Sequence, residues 1–247
     1  MLTEALFQPF TPVHFLVLFL MFLLNGIVLL LPKLAPGKHA VRNVAYAIAI
    51  FMLAQELVDR GGHYFLNREP LAHVLPFHLC GMSVFLVPVM LITRNQLLLE
   101  VLYYWGLGGA LISLITPEVA FPFPHFLNVT FFTSHTLIIT GVIYAILYYE
   151  MRPRRGSIVR VFLITATYAA IVAPLNVLLG TNYLYICKKP AGLSVLDFLG
   201  PWPWYLPGMI LITCLVFGLL YMPYWIHDIC HGKNGREQVT RPLDANE

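Results

Sequence analysis

The stretch 127-LNVTFFTSHTLIITGVIYAILYY-149 runs for 23 residues without a Lys, Arg, Asp or Glu. Crossing the ~30 Å hydrocarbon layer of a bilayer takes ~20 mostly apolar residues, because a helix rises ~1.5 Å per residue. A helix on the surface of a soluble core would keep a polar face, whereas this one is apolar nearly all round. Six more stretches of the same kind lie at 12–31, 41–61, 76–93, 96–115, 159–179 and 205–225. Hydrophobic residues make up 59% of the chain and charged ones 11%, and a mean hydropathy of +0.75 excludes an ordinary soluble domain. The expectation is an all-α polytopic bundle of seven transmembrane helices in one domain over 1–226, followed by a short polar tail at 227–247.

The placement of the cations gives an orientation, since short cytoplasmic loops are enriched in Lys and Arg. One side collects Lys33, Lys38, Arg42, Arg94, Arg152, Arg154, Arg155, Arg160, Lys233, Arg236 and Arg241; the other has Arg60, Arg68, Lys188 and Lys189. This eleven-to-four division predicts a multi-pass protein of the cell membrane with its N-terminus outside and its C-terminus in the cytoplasm. The first apolar run lacks a basic segment before it and exceeds the length of a signal-peptide core, so it is expected to stay as a helix. Cys80 and Cys187 fall on the outer side, where a bridge between them is one option.

Two long connections also lie on the outer side, 59–75 and 181–204. The second ends in Gly200-Pro201-Trp202-Pro203-Trp204-Tyr205. Trp and Tyr favour the headgroup level, which makes Trp202, Trp204 and Tyr183 candidates for lipid binding in a flat or re-entrant segment. Pro122 and Pro124 break any helix there and mark an outer turn. There is no convincing internal repeat, which argues against an inverted-repeat transporter.

Ionisable residues within a membrane are costly, and each one is a functional hypothesis. Cys80, His135, Asn176 and Glu56 fall on four spans near their outer ends, where inward-facing helices would bring them into one layer. Pro76 reads as the first turn of the third span. It puts Cys80 close to the positive end of a helix dipole, the setting of a reactive thiol. A histidine alongside makes a Cys–His nucleophile pair, and Glu56 or Asn176 is the right kind of group to orient that histidine. A buried cysteine is otherwise a small hydrophobe. His78, two residues before Cys80, points to another face and reads as a supporting or loop-capping group. Glu56, Asp59, Arg60 and His63 share one helical face, with Glu56 and Arg60 spaced as a structural ion pair. His227-Asp228-Ile229-Cys230-His231 has metal-ligand types but no partner cluster, so no metal is expected. The glycines of Gly106-Leu107-Gly108-Gly109 are helix-packing positions. Nothing in the chain binds nucleotides or nucleic acid.

The runs His78-Leu79-Cys80, Tyr104-Trp105-Gly106, Pro122-Phe123-Pro124-His125, Ser134-His135, Gly180-Thr181-Asn182-Tyr183 and Gly200-Pro201-Trp202-Pro203-Trp204 together resemble the bacterial YwaF-type integral membrane proteins. These in turn resemble the eukaryotic transmembrane-protein-164 family. The likeness extends from the second span to the seventh. It implies a cysteine-dependent acyltransferase that moves fatty acyl chains between phospholipids or lyso-phospholipids without a cofactor. Its active-site Cys and His would be Cys80 and His135. Asn176, Asn182 or backbone N–H groups near Gly81 would then hold the oxyanion. The competing class is a non-enzymatic lipid-binding or scaffolding protein, or a small-solute carrier. A buried polar layer would serve those too, although the missing repeats and sparse intramembrane charge count against a carrier.

Overall fold

The structure is a computed structural model that describes residues 7–190 and 195–230. Its elements run α1 (Pro12–Leu34), α2 (Ala40–Gly61) with a π-helical turn (Gly62–Leu66), α3 (Leu71–Val74), α4 (Leu79–Thr93), α5 (Gln96–Tyr104), a second π-helical segment (Trp105–Ala110), α6 (Leu111–Ile115), α7 (Phe126–Tyr148), α8 (Ser157–Leu179) and α9 (Tyr205–Cys230). The π segment joins α5 and α6 into one rod, Gln96–Ile115. Among the described residues six helices are long and apolar enough to cross a membrane, and α4 is a shorter apolar one. The chain is an all-helical membrane protein, as its hydropathy requires.

α4 departs from expectation in where it begins. Leu75 is extended (φ −64°, ψ 148°), because Pro76 crowds the residue before it out of the helical region. His78 is extended too (φ −72°, ψ 150°) and caps the helix. Pro76 is thus in a lead-in, and Cys80 is the second helical residue. At the other end Arg94 takes a left-handed conformation, its N–H bonded to Met90 O at 2.8 Å, and Asn95 Oδ1 caps α5. Pinned at both ends, α4 has 15 residues, about 22 Å at ~1.5 Å per residue against ~30 Å of hydrocarbon.

α4 and α7 run in the same direction, from the end bearing the long loops towards the arginine-rich end. Their register is set where a Cβ on Gly141 would overlap Val87. The offset of 54 between those two residues places Cys80 level with the stretch around Ser134 and His135. Cys80 is therefore recessed by about 12 Å from the start of α7, eight residues at ~1.5 Å each.

α7 is the central post and packs against α1, α2 and α4. Polar side chains lock the helices together, as hydrogen bonds between spanning helices do. Thr140 Oγ1 donates to Asn25 Oδ1 (2.8 Å), Tyr144 OH to Val41 O (2.7 Å) and Tyr148 OH to Leu29 O (2.5 Å). At the arginine-rich end Glu100, with no exposed surface, accepts from Arg154 Nε (2.8 Å), Arg160 Nε (3.0 Å) and the Arg154 backbone N–H (3.2 Å). Beside it Arg152 donates to Asp228 at 2.5 Å. That bond helps to explain why α9 continues to Cys230 past the expected end near 225. Residues 231–247 of the expected tail, with His231, lie outside the described residues.

Candidate functional site

Over the recessed start of α4 lies a cavity of about 280 Å³. Cys80 and Gly81 form its floor on α4, and Ser134 and His135 face it from α7. Glu56, Asp59 and Arg60 come from α2, and Glu118 to Phe121 from the loop before α7. Cys80 and His135 were expected to share a depth, and they line one chamber.

Cys80 lies against the π segment, where a Cβ on Gly109 would stand 3.8 Å from its sulfur. A π-helical turn widens a helix and is common at functional sites. The first α4 amide to bond back into the helix is that of Met82, to His78 O at 2.9 Å. The N–H groups of Leu79, Cys80 and Gly81 are the uncommitted donors that every helix start leaves. The opening of α4 therefore puts free backbone donors beside the thiol.

His135 Nδ1 stands 2.8 Å from Phe131 O. A carbonyl only accepts, so Nδ1 carries the proton and Nε2 keeps its lone pair. Among the described residues no hydrogen bond from the protein engages Nε2. Asp59, on α2, lines the same cavity and accepts from Thr130 Oγ1 on α7 at 2.5 Å. His63 Nε2 is 4.0 Å from Asp59 and its Nδ1 is 2.6 Å from Glu69, which continues the polar chain along the cavity lining.

Glu56, 3% exposed, pairs with Arg60 as the i,i+4 spacing suggests. Arg60 also donates to Val74 O, and a Cβ on Gly81 would come within 3.2 Å of its Nη2. The pair thus ties α2 to the lead-in of α4 and sets the cavity floor.

Next to the cavity runs the segment 181–186, which meets one lining residue, Glu118, through Tyr185. Asn176, 1% exposed, clamps it: Oδ1 accepts from Tyr183 N–H (2.7 Å) and Thr181 Oγ1 (2.9 Å), and Nδ2 donates to Tyr183 O (2.9 Å). Leu184 and Tyr185 are consecutive non-glycine residues in the left-handed region, φ 60° and 53°. Such conformations cost on the order of 1 kcal/mol or more each and persist only where the surroundings enforce them. The Tyr185 phenol reaches across to Glu118 Oε2 at 2.5 Å. Burial, and then Glu118 as acceptor, push this phenol well up, so it is the donor of the pair. His78 backs this segment, its Nδ1 accepting from Leu184 N–H (3.4 Å) and its ring against those of Tyr183 and Tyr185.

Several expected site residues are engaged elsewhere. Asn176 and Asn182 bond to the loop, Asn182 to the backbone of Cys187 and Lys188, and neither lines the cavity of Cys80. Tyr183 packs its ring on Phe77 and donates to Ala72 O. Trp202 and Trp204 are 61% and 72% exposed, and neither lines the cavity. Cys187 and Cys80 are both free thiols. Asp59 and Glu118 line the cavity and are the residues that sequence reasoning did not single out for it. The signal for Asp59 was present, one turn from Glu56 on the same face.

A model of the TMEM164 family matches residues 9–221. An uncharacterized protein of Treponema pallidum (strain Nichols) is 28% identical over 231 residues, covering 93% of this chain and 94% of its own. No solved structure matches. The chain belongs to the TMEM164 family.

Proposed function

We propose that this member of the TMEM164 family is a cysteine-dependent lipid acyltransferase. The observation that carries the reading is that Cys80 and His135 open on one cavity, with His135 Nε2 held as a base without a protein partner. In the first half-reaction the Cys80 thiol gives its proton to Nε2. The sulfur attacks the ester carbonyl of a phospholipid, and the C–O bond breaks as His135 protonates the departing lyso-lipid oxygen. In the second, the hydroxyl of another lyso-lipid gives its proton to Nε2 and attacks the thioester. The C–S bond breaks and the thiol takes its proton back. The free N–H groups of Cys80 and Gly81 hold the oxyanion in both steps. Asp59 offsets the positive charge that His135 carries between proton transfers. A chamber sunk into the bilayer keeps water scarce, which favours transfer over hydrolysis.

The test is a trapped thioester. Purified protein in vesicles, given a phospholipid with a tagged acyl chain, should acquire the tag on Cys80, and hydroxylamine should release it. Lipid binding without any covalent tag would instead identify a lipid-binding or scaffolding protein.

We place the long-loop end, and with it the site, on the external side of the cell membrane, from the distribution of cations. Reporter fusions after Arg155 and after Glu247 should read cytoplasmic, and one after Lys189 external. A cytoplasmic reading at Lys189 moves the site to the inner leaflet.

The Glu56–Arg60 pair is assigned a structural role. Glu56→Ala strands Arg60 at the rim of a low-dielectric layer, and removing one partner of a buried pair typically costs ~3–5 kcal/mol. The folded yield in detergent should fall. Normal yield with loss of the Cys80 tag would make Glu56 a group of the reaction instead.

A further inference from the structure

A base that serves a cavity has to hold its ring in place as well as its proton. The hydrogen bond from His135 Nδ1 to Phe131 O fixes the tautomer. One bond leaves the imidazole free to tilt about it, so it does not by itself aim Nε2. A second contact removes that freedom. The Phe131 ring lies against the imidazole, with centroids 4.2 Å apart and planes 33° from parallel. The four-residue spacing brings this about, because side chains on a helix lean back towards its N-terminus and put His135 over Phe131.

Phe131 is itself held. Its ring meets Phe132 edge-on at 5.4 Å, and Phe132, with no exposed surface, packs against Phe7 and His14. Ser134 Oγ donates to Phe131 O at 3.0 Å and stands 3.4 Å from His135 Nδ1. Phe131, Ser134 and His135 all line the cavity of Cys80. One residue therefore meets the imidazole twice, its carbonyl at the edge and its ring on the face.

We propose that Phe131 is a positioning residue for His135, its ring holding the imidazole in the plane that keeps Nε2 aimed into the cavity. The ring contact stands without the acyl-transfer reading; only its consequence for turnover rests on that reading.

The experiment uses the full chain in lipid nanodiscs. Phe131→Leu keeps an apolar wall without a ring, and Phe131→Tyr keeps the ring. Histidine ring nitrogen resonances, recorded above the ordinary imidazole titration range, report the tautomer without any acyl donor. The His135 signal is identified by its loss in His135→Gln. The unaltered protein and Phe131→Tyr should show one His135 form, protonated at Nδ1, and Phe131→Leu should show both tautomers. Tagging of Cys80 by a phospholipid with a tagged acyl chain should fall on the order of tenfold in Phe131→Leu, as the loss of one aromatic pair implies. The fall should lie in kcat with KM scarcely moved, and Phe131→Tyr should stay close to normal. A single Nδ1–H form in Phe131→Leu overturns the proposal whatever happens to the rate, since the ring is then only a piece of cavity wall. So does mixing of tautomers in Phe131→Tyr as well, since the ring is then not what holds the imidazole. Mixed tautomers in Phe131→Leu alone, with an unchanged rate or with no tag on any of the proteins, bear out the positioning and overturn the acyl-transfer reading instead.

Discussion

Cys80→Ala is expected to abolish acyl transfer while leaving the folded yield of the protein intact. The side chain contributes one small thiol to the cavity floor, and its replacement removes no hydrogen bond between helices. His135→Gln should be nearly as damaging, because a glutamine amide neither takes the proton from a thiol nor returns it to a leaving alkoxide. Nucleophile and base act as a unit, so each single loss costs on the order of 10⁴-fold or more and the double variant is hardly worse than either. That non-additivity is the informative measurement. If the two losses multiply, Cys80 and His135 work on separate steps or in separate sites, and the nucleophile–base pair is wrong. Turnover of a tagged phospholipid by the four proteins, at matched folded concentration, provides the comparison.

The second large effect lies at the far end of the bundle, away from the chemistry. Glu100 is wholly buried, and two arginines that are themselves partly exposed satisfy it. The two sides of this contact are unequal. An arginine that loses Glu100 reaches water by turning outwards, whereas a carboxylate that loses its arginines stays where it is. Arg160→Met should therefore destabilise the protein by on the order of 3 kcal/mol, within the range for breaking a buried pair from one side. For a chain of this size that corresponds to a fall in Tm of roughly 6–12 °C. Glu100→Gln placed on top should restore most of the loss, since the charge that was stranded has gone. If the double variant is no more stable than Arg160→Met alone, the arginine acts through its packing and not through the carboxylate.

The spans and the common depth of Cys80 and His135, which line one cavity, were legible in the sequence because both rest on distance along a helix. Hydropathy over 127–149 fixes a rod, and a rod fixes depth. What the sequence concealed was the starting point of one rod. Pro76 carries the signature of a first turn, yet it also constrains Leu75, and the chain satisfies the proline by staying extended to His78. Asn176 and Asn182 misled for a different reason. A polar side chain near the end of a span has two equally good uses, a ligand or a loop, and only the path of 181–188 shows that the loop takes both amides. Asp59 was visible as a neighbour of Glu56, but its relation to His135 depends on how α2 and α7 are rotated, which no periodicity records.

The shortness of α4 has a consequence for the lipid as well as for the protein. A helix about 8 Å shorter than the surrounding hydrocarbon creates a hydrophobic mismatch, and a bilayer meets it by thinning locally. On the long-loop side the water–lipid boundary is then drawn down towards the first turn of α4. Phospholipid ester groups travel with that boundary, because they mark where the acyl chains begin. The acyl ester comes to the depth of Cys80 without leaving its preferred environment. Under the proposed acyl transfer, this deformation of the solvent would deliver the substrate.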